Sequence, residues 1–108
     1  SKKMLLNRLN LLKSKGKVIA GYAATSKSTT ILNYCKIGPE LIKYICDTTK
    51  NKIGKYSPGT HIPIKSMDYF YKNKPEVVYL FAWNHKNEIF KKEKKLKNKI
   101  KWISHVKI

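Results

Sequence analysis

Lys17-Val-Ile-Ala-Gly21-Tyr-Ala-Ala-Thr25-Ser-Lys-Ser-Thr-Thr-Ile-Leu-Asn-Tyr-Cys35 is the stretch whose reading decides the fold. Val18, Ile19 and Ala20 form a short apolar strand, Gly21 opens a tight turn, and Ser28 or Thr29 can cap a helix carrying Ile31, Leu32 and Cys35. A strand, a loop of small residues and a helix N-terminus make a place where backbone N–H groups converge on an anion. A phosphate-bearing ligand is the first expectation.

Working outward, Lys2 to Ser14 places Leu5, Leu9 and Leu12 on one helical stripe with Leu6 beside it, and Gly16 closes that helix. After Cys35, Gly38-Pro39 ends one element, and Leu41 to Cys46 reads as a second apolar strand with Asp47 at its end. Gly54 and Ser57-Pro58-Gly59 mark turns, and Thr60 to Ile64 is a brief extended piece that Pro63 restricts to a sheet edge or a strand end. Ser66 to Lys72 holds one or two helical turns. Val77-Val78-Tyr79-Leu80-Phe81 is the clearest buried strand. Asn84 is placed to cap a long, lysine-covered helix with Ile89, Phe90 and Leu96 inward, and Lys101 to Ile108 alternates as a last strand. The order predicts one α/β domain over residues 1–108: an open, mostly parallel sheet of about five strands flanked by helices, with an N-terminal helix. Ligands of such sheets collect at the carboxyl ends of the strands, which are read here as Gly21–Ser28, Asp47, His61–Ile64 and Ala82–His85.

The formal net charge of +18 points toward nucleic acid, but its make-up points away. Of 24 basic residues only Arg8 is an arginine, whereas bidentate reading of bases and packed phosphate clamps favour arginine. Lys, Asn, Ile and Tyr supply 50 of the 108 residues, a bias that suits whole-genome composition better than one function. Nucleic acid is therefore a secondary expectation, beside an acidic partner or a purely structural interaction role. No apolar run approaches the roughly 20 residues that cross a bilayer, and Ser1-Lys-Lys-Met-Leu-Leu has no signal-peptide plan. Cys35 and Cys46 read as two buried thiols of a cytoplasmic protein, without zinc-site spacing. Ser1 in place of an initiating Met suggests a piece of a longer chain.

Two nucleotide motifs come close to the first loop. Gly21 to Ser28 follows a Walker A outline with Ser26 where glycine must let the phosphates approach, and no strand ends in an Asp for magnesium. The dinucleotide fingerprint keeps only Gly21 of its three glycines, although Asp47 ends the second strand where a ribose-binding carboxylate would stand. Neither motif is satisfied.

A longer pattern is more specific. Gly21 to Cys35, Ile37-Gly-Pro-Glu-Leu-Ile42, Asp47, Lys55-Tyr-Ser-Pro-Gly-Thr-His61-Ile-Pro-Ile64 and Trp83-Asn84 resemble the C-terminal domain of SAM-dependent nucleotide-sugar C-methyltransferases. The resemblance runs from about Leu5 to Lys107, with its motifs in the same order; Ala23 stands where that family often has the second glycine of Gly-Tyr-Gly. It implies a Rossmann-like fold, a role in holding the nucleotide sugar, and no methyl transfer by this chain alone. SAM and zinc are implied for domains that precede it, which would also be its partners.

The candidate substrate-binding residues are Gly21, Tyr22, Thr25, Ser26, Lys27, Ser28, Asp47, His61, Trp83 and Asn84, with no catalytic or metal residue among them. Each has a plainer alternative. Lys27 neutralises a diphosphate or is one more surface lysine. Thr25 and Ser26 bond the ligand or cap the helix. Asp47 accepts a ribose hydroxyl or holds its own loop through backbone N–H groups. His61 meets substrate or orders its loop, and Trp83 stacks on a base or locks a helix to the sheet. Asn33 invites a polar contact, Tyr34 a neighbouring domain, and His105 no role.

Overall fold

The computed structural model describes residues 2–104. Helix α1 (Lys2–Ser14) leads into β1 (Ile19–Tyr22), α2 (Ser26–Cys35), β2 (Tyr44–Asp47), β3 (Ile64–Ser66), α3 (Met67–Lys72) and β4 (Val77–Leu80). A 3-10 turn (Trp83–His85), α4 (Lys86–Lys92) and β5 (Lys101–Ile103) follow. The five strands form a single sheet in the order β3-β2-β1-β4-β5, and every neighbouring pair is parallel. The sequence reading of a small α/β domain with an N-terminal helix holds throughout the described residues.

The sheet is covered on both faces because its strands are apolar on both. Ile19, Ile45, Val77, Tyr79, Phe81 and Ile103 pack against Leu5, Leu9 and Leu12 of α1 and Leu32 and Cys35 of α2. Ala20, Tyr22, Cys46, Val78 and Leu80 face the other way, toward Phe70 of α3 and Leu96 and Ile100. Each buried leucine of α1 contributes about 1.5–3 kcal/mol relative to exposure, so the α1 stripe is a structural part of the domain rather than an appendage. Cys35 and Cys46 are buried and unpaired, on opposite faces of the sheet.

The structure corrects several local readings. Gly21 lies inside β1, paired with Ile45 and Tyr79, and does not open the turn. Its missing side chain serves close packing: a Cβ there would come within 2.6 Å of the ring of the fully buried Phe81. The turn instead begins at Ala23, whose φ of 74° is left-handed. Thr25, not Ser28 or Thr29, caps α2, its hydroxyl accepting the Ser28 N–H at 3.3 Å.

Leu41 and Ile42 are buried but belong to a turn, both N–H groups donating to the Gly38 carbonyl, so β2 starts at Tyr44. The extended piece at 60–63 folds back on Tyr56–Ser57, and β3 begins at Ile64 on the sheet edge, as Pro63 requires. The last helix is short. Asn84 falls in the 3-10 turn without capping anything, and α4 stops at Lys92. Lysines four apart at 91, 95 and 99 would repel on a continued helix, while Glu93 is drawn inward; Leu96 is buried from a turn. Of the final strand, residues 105–108 lie outside the described set.

Candidate functional site

The winding reverses at β1. From it the chain steps outward to β2 and β3, then returns to β4 on the other side. The loops leaving β1 and β4 therefore separate at the carboxyl edge and leave a crevice between them, the usual ligand position in an open parallel sheet. One wall is Ala23–Lys27 and the other Ala82–Asn84. The Lys27 ammonium bridges them, donating to Asn84 Oδ1 at 3.3 Å and lying 6.0 Å from the centre of the Trp83 ring. Trp83 is 38 % exposed at the edge of this crevice. Ser26, Lys27, Thr30, Ile31 and Trp83 line a depression of about 320 Å³ here.

The first wall is built from below by β2. Asp47 Oδ2 accepts the Ala24 N–H at 2.7 Å, Oδ1 accepts the Thr49 N–H at 2.8 Å, and Lys52 Nζ donates to the Ala24 carbonyl at 2.7 Å. Burial would raise the Asp47 pKa, but the Thr49 and Ala24 N–H groups and the nearby Lys52 charge outweigh it and hold the carboxyl below its ordinary value. With the Ala23 N–H donating to Cys46 O at 2.8 Å, the left-handed turn is tied at each peptide. Beyond it, the N–H groups of Ser26 and Lys27 lie in the first turn of α2, where a helix has no carbonyl to offer them. That end carries the positive pole of the helix, and no acidic residue occupies its first turn.

On the far side of the same helix end lies a second hollow of about 340 Å³, between Thr25–Thr29 and the Asn51–Pro58 loop. It adds Lys52, Lys55 and Tyr56, none of which the sequence reading selected as a site residue. Lys55 and Tyr56 stand in the Lys55–Ile64 pattern, but two lysines among 23 and a tyrosine in a polar loop acquire a position only when that loop folds over the β3 edge.

The candidates divide accordingly. Thr25, Ser26, Lys27, Trp83 and Asn84 converge on the crevice, with Asp47 beneath it. Gly21, Tyr22 and Ser28 do not reach it. Tyr22 turns into the core between Phe70 and Trp102, where its hydroxyl donates to the buried Glu93. Ser28 is buried and its hydroxyl donates to the Thr25 carbonyl at 2.6 Å.

His61 is the largest displacement. It precedes β3, at the amino end of the sheet rather than the carboxyl end, exposed and left-handed at φ 59°. Residues 60–63 fold back on Tyr56–Ser57 instead of joining the sheet, so the strand starts at Ile64 and His61 precedes it. Asn33 does find a polar partner, donating to the Pro58 carbonyl at 2.9 Å, and Tyr34 is exposed.

Comparison with known proteins matches this arrangement over nearly its full extent. The family model described as C-methyltransferase C-terminal domain matches residues 1–106. The chain belongs to that family. A relative, the C-methyltransferase NovU of Streptomyces niveus, is 40% identical over 79 residues, which is 73% of this chain and 19% of the relative. The chain thus spans about a fifth of the length of that curated relative. Among the described residues of this C-methyltransferase C-terminal domain, no three or more His, Cys, Asp or Glu groups are placed to hold a metal ion. No described helix is long and apolar enough to cross a membrane.

Proposed function

We propose that this domain holds the nucleotide-sugar substrate of a SAM-dependent sugar C-methyltransferase and does not transfer the methyl group by itself. SAM and zinc are assigned to other domains of the complete enzyme, which would close over the crevice as its partners. The observation that carries the reading is the Lys27 bridge between the two loops at the point where the sheet reverses, with the Trp83 ring beside it. A diphosphate at the α2 N-terminus would meet the Ser26 and Lys27 N–H groups and the Lys27 ammonium. Trp83 would offer the base or sugar a stacking face, and Asn84 a hydrogen bond to a hydroxyl. Asp47 acts indirectly, by fixing the backbone that the phosphates approach.

The test is an NMR chemical-shift titration of the chain with dTDP-, UDP- and GDP-linked sugars, repeated on K27A. Saturable shifts confined to residues 23–30 and 82–85, weakened at least threefold in K27A, are expected. Shifts of equal size everywhere on the lysine-rich surface, indifferent to nucleotide and to K27A, would defeat the assignment. Measurable methyl transfer from SAM by residues 1–108 alone would defeat the second half of it.

A further inference from the structure

A hollow of about 700 Å³ lies away from the crevice. Its rim carries Lys74, Lys91, Lys92, Lys94, Lys95 and Lys99, and its floor Tyr71, Leu96 and Glu93. Lys74 stands just before β4 and Lys99 just before β5, so this part of the rim is at the amino end of the sheet.

The chain brings these charges together for a packing reason. After α4, residues 93–100 run as turns held by the Leu96 N–H and Lys97 N–H on the Glu93 carbonyl and by the Ile100 N–H on the Leu96 carbonyl. Glu93, Leu96 and Ile100 are all turned inward and buried, which leaves the lysines between them outward around one concavity. Glu93, the lone carboxylate of the lining, accepts the Tyr22 hydroxyl and the Tyr71 hydroxyl, the latter at 2.9 and 3.0 Å, so its lone pairs are engaged at the floor. Six ammonium groups therefore surround a hollow with one committed carboxylate.

We propose that this hollow binds a small soluble molecule carrying two or more phosphate groups, at a site separate from the crevice. Its volume lies within the range of small-ligand pockets, and it is concave where a nucleic-acid surface would be an extended stripe. Lysines on long stems reach tetrahedral phosphate oxygens from several directions as point charges. Leu96 and the Tyr71 ring give the organic part of such a molecule an apolar floor.

The experiment is isothermal titration of the 108-residue chain with inorganic tripolyphosphate at near-physiological salt. It is repeated on the triple variant K91Q/K95Q/K99Q and on K2Q/K3Q/K36Q, which removes as much charge from the α1–α2 side, on the other face of the sheet; all six lysines are exposed, so both variants should fold. The expected result is a saturable site that is retained when the titration is run on K27A, weakened at least tenfold by the first triple and less than twofold by the second. Equal weakening by both triples would reduce the hollow to a general basic surface, and a site lost in K27A would move the binding to the crevice; either would overturn the proposal. So would tighter binding of a single-stranded oligonucleotide or an oligoglutamate peptide through the same three lysines, since the occupant would then be a macromolecule.

Discussion

The Asp47 carboxylate accepts the Ala24 N–H at 2.7 Å, across from the end of β2 to the loop that leaves β1. Its second oxygen takes the Thr49 N–H at 2.8 Å, so one side chain orders two loops at the carboxyl edge of the sheet. Hydrogen bonds to a charged group contribute about 1.5–3 kcal/mol each. Asp47→Ala should therefore lower stability by about 3 kcal/mol or more in urea unfolding, and Asp47→Asn, which keeps one acceptor, by about half as much. A loss below about 0.5 kcal/mol for the alanine variant would mean that the loop is ordered by other contacts.

The same carboxyl sets an acid dependence. Because its folded pKa is depressed, the folded chain binds that proton more weakly than the unfolded chain. Its stabilisation is complete above the unfolded value of about 4 and disappears as pH falls through the folded pKa below that. The stability gap between the natural chain and Asp47→Asn should accordingly be constant from pH 7 to about 5 and narrow below about 4. A gap unchanged at about pH 3 would show that the charge is not what holds the loops.

At the alkaline end the Tyr22–Glu93–Tyr71 cluster acts in the opposite sense. Burial, then the hydrogen bond and charge of Glu93, push the Tyr71 phenol up to about 12, and the same causes push Tyr22 higher still. The folded state thus favours the neutral phenols. Their contribution is intact below the ordinary tyrosine value of about 10 and is lost as pH rises from there toward the folded value. Phenolate absorbance should show Tyr71 ionising late, and Glu93→Gln should bring that ionisation to lower pH; a Tyr71 titration unmoved by E93Q would refute the coupling.

Gly21 and Ala23 should respond in opposite directions to exchange of glycine and alanine. Gly21→Ala drives a Cβ against Phe81 and Ile45 in a filled core, and overpacking of this kind costs about 1–3 kcal/mol. Ala23 holds a left-handed φ that costs an L-residue about 1–2 kcal/mol, partly offset in Ala23→Gly by the greater freedom of glycine when unfolded. Ala23→Gly should be neutral to stabilising by about 1 kcal/mol in thermal or urea unfolding, against the usual loss. A clear destabilisation would indicate that the turn is not strained.

What the sequence alone determined was everything carried by local period and order. The leucine stripe of α1, the apolar runs at 18–20 and 77–81 and their alternation with helices point to a parallel sheet with both faces covered, which buries all of these residues except Val18. The long Gly21–Cys35, Lys55–Ile64 and Trp83-Asn84 pattern likewise identified the family before any coordinate. The tertiary structure decided which side of each short element a residue occupies and which ends of the strands meet. Tyr22 is a site residue by position in the chain and a core residue by the two-residue period of β1. His61 lies at the wrong end of the sheet because a three-residue strand began four positions later than its apolar run suggested. By chain position Glu93 is one carboxylate between two pairs of lysines. It became the anchor of the last turns only because β1 and α3, distant in the chain, bring two hydroxyls to it, and a contact 71 residues apart leaves no trace in local spacing.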